Sequence, residues 1–211
     1  MKKTIFVTAT NTDIGKTYTV KKLLRAYASK GLRVGVMKPF ETGVVGGNYP
    51  DATELLALVK ELNKDFKNIK LEDIVLFAYE LPAAPFVASN GVTLELSVVQ
   101  KQLKKLHKFC DVLIVEGAGG LMVPINKDVM MVDLIKSLCI KTILVTHCSL
   151  GCINDTKLSE YLLNSYGIDY VRVFNCKDGD EFENISEFYF KSENKEILRL
   201  EKDLEAIVNL L

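Results

Sequence analysis

The stretch Ala9-Thr10-Asn11-Thr12-Asp13-Ile14-Gly15-Lys16-Thr17 decides how this chain is read. Residues 4–8 before it form a short apolar run with the composition of a buried strand. Residues 16–30, which overlap its end, repeat with a helical period and are closed by Gly31. Strand, loop, Gly15-Lys16-Thr17 and helix therefore coincide, which is the setting of a phosphate-binding loop. In that setting backbone N–H groups and the helix N-terminus hold phosphate, Lys16 pairs with the β- and γ-oxygens, and the Thr17 hydroxyl ligates Mg²⁺. The strict pattern has glycine five residues before Gly15, where this chain has Thr10.

Working outward, apolar β-rich runs alternate with helix-period segments almost from end to end, the pattern of repeated βα units. We expect an α/β fold: a three-layer sandwich with a mostly parallel central sheet, of the P-loop NTPase type, with residues 1–211 as a single domain. Expected strands cover 4–8, 33–37, 111–116, 142–146 and 170–174, with a weaker one at 74–77. Expected helices cover 16–30, 51–62, 94–109 and 154–166, the last closed by Gly167. Glycine-rich loops at 41–50 and 117–127 follow strand ends, where open α/β sheets bind ligands. The segment 177–195 is charged and unperiodic, and a helix pattern at 197–211 follows it with no further strand in view.

Lys plus Arg and Asp plus Glu number 27 each, so no global field draws the chain to nucleic acid or an anionic membrane; a small-molecule partner is expected. The N-terminus reads as a first strand and not as a signal peptide, and no apolar run approaches the roughly 20 residues of a membrane span. A cytoplasmic protein is the expectation. The five cysteines are odd in number and widely spread, so reduced thiols are expected. Cys148 and Cys152 have no matching Cys/His pair for a metal. His107 and His147 read as surface or loop residues.

Three more residues stand at ligand-binding positions. Lys38 ends the second strand in Lys38-Pro39-Phe40-Glu41-Thr42-Gly43, beside the first strand in the usual order, where it would face the phosphates; a solvated strand-end lysine is the other reading. Glu116 ends a buried strand in Val115-Glu116-Gly117-Ala118-Gly119-Gly120, and a carboxylate there suits Mg²⁺, directly or through water. Asp51 opens a helix after a glycine-rich loop, which also suits a simple N-cap.

Together these pieces resemble the dethiobiotin synthetase family over about residues 4–175. They are 12–17, Lys38-Pro39 with Thr42-Gly43, Asp51, Pro82 with Pro85, 115–120, and Leu150-Gly151-Cys152-Ile153-Asn154. The related P-loop ATPases that partition cargo carry a signature lysine where this chain has Asn11. The resemblance implies a homodimer, with no nucleic-acid or membrane partner, that uses ATP, Mg²⁺, CO₂ and 7,8-diaminononanoate to form dethiobiotin through a carbamate and a carbamic-phosphoric anhydride. By the same carry-over, Lys16, Lys38, Thr12 and Thr42 act on the reacting groups. Asn11, Thr12, Asp13, Ile14, Gly15, Lys16, Thr17, Glu116, Gly119 and Asn175 bind nucleotide, and Thr17, Asp51 and Glu116 hold the metal. Asp13 and Thr42, with Leu150, Gly151, Cys152 and Asn154 of the partner chain, bind the substrate.

The chain departs from the family pattern in four places. Ala9 replaces an early glycine, and Asp13 replaces a glutamate. Asn175 is one residue out of register with the adenine-reading asparagine, and the segment that closes over the base is not recognisable in 177–211, so weak discrimination among nucleobases is expected. The rival readings are a P-loop amidoligase-like or regulatory ATPase of the same fold, and a nucleotide-binding module without catalysis.

Overall fold

The computed structural model describes residues 2–177, 181–193 and 195–211. Residues 178–180 and 194, within the charged segment noted above, lie outside the described residues. In chain order the elements are β1 (Lys3–Ala9), α1 (Lys16–Ser29), β2 (Val34–Met37), β3 (Phe40–Thr42), α2 (Ala52–Leu62), α3 (Leu71–Ile74), β4 (Phe77–Tyr79), α4 (Pro85–Ala88), α5 (Leu96–Leu106) and β5 (Val112–Gly120). They continue with β6 (Pro124–Asn126), β7 (Val129–Met130), α6 (Met131–Leu138), β8 (Lys141–Thr146), α7 (Cys152–Ser165), β9 (Tyr170–Phe174), α8 (Phe182–Ile185), α9 (Glu187–Ser192) and α10 (Leu204–Leu210).

Five strands form one parallel sheet in the order β2-β5-β1-β8-β9. Its central strands are apolar because both faces are covered: Ile5, Phe6 and Val7 in β1, Ile114 and Val115 in β5, and Ile143, Leu144 and Val145 in β8 are all 0% exposed. Each such side chain contributes about 1.5–3 kcal/mol of burial. The connection from β1 to β2 runs one way along the sheet and that from β5 to β8 runs the other. Right-handed crossovers therefore place α1 and α6 on opposite faces, which gives the three layers. No helix among the described residues is long and apolar enough to cross a membrane.

Several expectations are corrected. Strand β2 does not lie beside β1; β5 is inserted between them, so Lys38 reaches the centre of the sheet across β5. The 41–50 loop begins as β3, which pairs with β4 in a separate two-stranded sheet. Ile74 belongs to α3, and the weak strand starts only at Phe77. The 117–127 loop is largely strand, with β5 running on to Gly120. The glycines permit this, because a Cβ on Gly117 would lie 2.9 Å from the Phe6 ring and one on Gly120 3.1 Å from the Thr10 carbonyl. Helix α6 lies where no helix was expected. In the last segment only Leu204–Leu210 is helical. Residues 198–200 run along the sheet edge, with Phe174 N–H donating to Leu198 O at 2.8 Å and Leu200 N–H to Phe174 O at 2.9 Å. The cysteines are not all reduced: Cys148 after β8 and Cys176 after β9 form a disulfide, because the two adjacent strands end side by side.

Candidate functional site

The carboxyl ends of β1, β5 and β2 converge on the start of α1. Gly15 caps that helix in the left-handed region at φ 99°. Any side chain there would be strained, and a Cβ would also lie 2.1 Å from Asn175 Nδ2. Asp13 is likewise left-handed at φ 59°, a conformation that aspartate tolerates better than most residues. The loop is tied inward by its own carbonyls: Lys16 Nζ donates to Asn11 O at 3.1 Å, and Asn175 Nδ2 donates to Ile14 O at 2.8 Å.

Behind the loop, Glu116 is fully buried at the turning point of β5, in register with Val7 of β1. Its Oε1 accepts from Thr17 Oγ1 at 2.8 Å and from Lys38 Nζ at 2.7 Å, while Oε2 is buried with no hydrogen-bond partner. Lys38 also pairs with Asp51. Asp51 stands at the N-cap of α2, yet its carboxylate makes no cap hydrogen bond and faces Lys38 instead. Burial by itself pulls the Lys38 ammonium down, but Glu116, Asp51 and Glu41 outweigh it and hold the group above the ordinary lysine range. At Lys16 burial wins over Glu116, and the ammonium is held below that range.

Lys16, Thr17, Asp51 and Glu116 line a cavity of about 780 Å³, whose walls also include Asp13, Gly15 and Asn175, while Lys38 is paired behind Asp51 and Glu116 and does not line it. The other walls are Tyr18, Cys176, Lys177 and Glu201, none of which was singled out from the sequence. Glu201 arrives because the 198–200 segment follows the sheet edge; Tyr18 Oη donates to it, and Lys22 Nζ pairs with it at 2.8 Å. Asn11, Thr12, Asp13 and Ile14 also line a second cavity of about 310 Å³, with His147, Ser149 and Asp155. His147 is engaged there, 2.7 Å from Ser149 Oγ and 3.1 Å from Asp155 Oδ2. Gly119 has φ 60°, and a Cβ there would lie 2.6 Å from Val123 Cγ2 and 3.7 Å from Thr12 Oγ1.

Other expected residues lie elsewhere. Thr42 ends β3 and does not line the main cavity. Leu150, Gly151, Cys152 and Asn154 open α7 away from it. Leu150 is 82% exposed, Gly151 has φ 96°, and Cys152 is buried with its N–H donating to Ser149 O at 3.1 Å. His107 is not a plain surface residue, since its Nε2 lies 2.6 Å from Thr4 Oγ1 and its Nδ1 is buried without a partner. The sequence reading also passed over Glu41. It is 1% exposed in β3, and a lone acid between Phe40 and Thr42 was the available signal.

A family model described as "AAA domain" matches residues 3–207. Among solved structures, a putative plasmid partition protein from Borrelia burgdorferi bound to AMPPNP superposes with a TM-score of 0.57 at 11% identity, covering 95% of this chain and 84% of that one, a likeness of fold. Among curated relatives, the ATP-dependent dethiobiotin synthetase BioD of Wolinella succinogenes is 35% identical over 99% of this chain and 98% of its own length. The protein of the same name from a Sulfurovum species is 44% identical over 88% of this chain and 89% of its own. With identity at that level along nearly the whole of both chains, the chain belongs to the ATP-dependent dethiobiotin synthetase family.

Proposed function

We propose that this chain is an ATP-dependent dethiobiotin synthetase, a ligase of biotin biosynthesis that joins CO₂ to 7,8-diaminononanoate and closes the ureido ring, with ATP converted to ADP and phosphate. The observation that carries this is the convergence of Lys16, Thr17, Asp51 and Glu116 on the main cavity, with Lys38 paired to both carboxylates, in a chain of this family. One amine takes up CO₂ as a carbamate. A carbamate oxygen attacks the γ-phosphorus and ADP leaves. The second amine then attacks the carbonyl carbon of the mixed anhydride, and phosphate departs as the ring closes. Carbamate and triphosphate are both anions, so their alignment requires fixed cations. Lys16 and Lys38 are those cations, Lys16 held by the Asn11 carbonyl and Lys38 by the buried Glu116 carboxylate.

The backbone of Asn11, Thr12, Asp13, Ile14, Gly15 and Lys16, with Gly119, cradles the triphosphate, and Asn175 stands on the base side. Thr12 and Thr42 hold the reacting groups, and Asp13 accepts from a substrate amine. Thr17, Asp51 and Glu116 would hold Mg²⁺, which when bound neutralises charge on the transferring phosphoryl group. The donor set fits it. All three offer hard oxygens, Glu116 Oε2 is buried with no other partner, and Mg²⁺ sites use one or two carboxylates with substrate phosphates completing the shell.

A homodimer completes the reading. Leu150, Gly151, Cys152 and Asn154 open the 14-residue α7, whose N-terminus favours an anion such as the substrate carboxylate. The exposed apolar side chains Met122 and Leu158 meet at a shallow cavity beside Thr10 and Asn11, with Tyr161 one turn further along α7. An apolar face beside the phosphate loop suits a second copy that brings its own Leu150–Asn154 segment to this chain's site. The test is phosphate release from ATP with and without diaminononanoate and bicarbonate. Release that depends on the diamine supports the proposal. Release independent of it returns the chain to a regulatory ATPase, and nucleotide binding without release leaves a binding module.

A further inference from the structure

The carboxylate of Glu41 plays no part in the reaction above, yet it is among the most enclosed charges near the site. Glu41 lies in the middle of β3 and is 1% exposed. Its Oε1 accepts from Asp51 N–H at 2.9 Å and its Oε2 from Ala52 N–H at 3.2 Å, so it occupies the N-terminus of the 11-residue α2. An N-cap side chain, here Asp51, normally turns back to accept from the N2 or N3 N–H, here Thr53 and Glu54, whereas Glu41 takes the two donors before these. With Glu41 there, the Asp51 and Ala52 N–H groups are satisfied, Thr53 N–H donates to Tyr49 O at 3.3 Å, and a second negative charge opposes the return of the Asp51 carboxylate. Asp51 accordingly makes no cap hydrogen bond and faces Lys38 and Glu116.

We propose that Glu41 is a positioning residue: by placing its charge on the two N–H groups at the start of α2, it directs the Asp51 carboxylate away from its own helix and toward the metal-binding side of the cavity. The proposal rests on the assignment of Asp51 to Mg²⁺ made above. It extends the site by a group that touches neither nucleotide nor metal and acts through the direction of one side chain. Partners of metal ligands are commonly worth about 10–100-fold in metal affinity.

The test is a four-way comparison of the intact protein, Glu41→Gln, Asp51→Asn and the double variant, without substrate. Calorimetry reads the affinity for ADP at rising Mg²⁺, and thermal unfolding is recorded without Mg²⁺. Glu41→Gln should raise the Mg²⁺ concentration for half-maximal tightening of ADP about tenfold, while ADP affinity without Mg²⁺ stays within about twofold. In the Asp51→Asn background the same change should move the Mg²⁺ midpoint no further, because the side chain being directed is no longer a carboxylate. A purely structural Glu41 would lower the unfolding midpoint and leave the Mg²⁺ dependence alone, which overturns the proposal, as do effects that multiply in the double variant. If Asp51→Asn shifts the Mg²⁺ midpoint and Glu41→Gln does not, this proposal fails alone. If Asp51→Asn shifts nothing, the metal assignment and this proposal fail together. Should Glu41→Gln not fold, Glu41→Ala replaces it in the same comparison.

Discussion

At the Lys16 end of the main cavity Lys16, Lys38 and Glu116 are buried, whereas at the other end Tyr18, Lys177 and Glu201 stand at the surface. Glu116 is 0% exposed and Lys38 5%, but Tyr18 is 40% exposed and Lys177 lies open to solvent. The difference is one of dielectric. Charges fixed away from water act strongly on a charge that develops between them, while exposed pairs such as Lys22 with Glu201 contribute about 0–1 kcal/mol. Under the proposed function the buried end would carry catalysis and affinity, and the open end would select weakly among bases.

The largest test of that contrast is removal of a buried cation. Lys16→Ala and Lys38→Ala should each lower the rate of ring closure by at least ~10²-fold, roughly 3 kcal/mol, with cooperative unfolding retained. Near-normal turnover in Lys38→Ala would show that its pairing with Glu116 and Asp51 is structural only.

A shared site sharpens the comparison, because the buried end would then need a second chain. Lys16→Ala keeps an intact Leu150–Asn154 segment, and Gly151→Val, strained at φ 96°, keeps an intact phosphate loop. Unfolded and refolded together, the two inactive variants should recover about a quarter of normal activity, the share expected when half the dimers hold one complete site. Verified heterodimers without activity would mean that each subunit works alone.

At the open end the expected effects are smaller. In ring-closure assays with competing nucleotides, GTP or CTP should compete with ATP, because two missing base-edge hydrogen bonds, about 2 kcal/mol, remove about thirtyfold of selectivity. A preference above ~100-fold would place a selective base pocket at Tyr18, Cys176, Lys177 and Glu201. Smallest of all, Asn175→Ala removes one hydrogen bond to Ile14 O and should raise KM for ATP about fivefold with kcat unchanged. A fall in kcat would instead place Asn175 in control of the phosphate loop.

What could be read in the chain divides along the same lines. The phosphate loop was legible because its parts are consecutive: backbone donors, Lys16 and Thr17 come from one turn between a strand and the helix it feeds. Lys38 and Glu116 were legible one step less directly, as charged residues at the ends of apolar runs, since a parallel sheet brings strand ends to one edge. That reasoning named two residues that the structure pairs and still put β2 beside β1, because the pattern of a strand does not say which strand it pairs with.

The sequence by itself determined the α/β class, the five main strands, the phosphate loop and the family, all of which follow from local pattern and motif. Only the tertiary structure decided that β5 lies between β1 and β2, that Cys148 meets Cys176, and that Glu201 reaches the cavity from the far end of the chain. It alone decided that Asp51 turns from its helix while Glu41 takes the place at the helix start. Each of these joins groups 10 to 183 residues apart in sequence. Such contacts form only when the burial of the whole sheet brings those groups together, and periodicity within a segment carries no record of that.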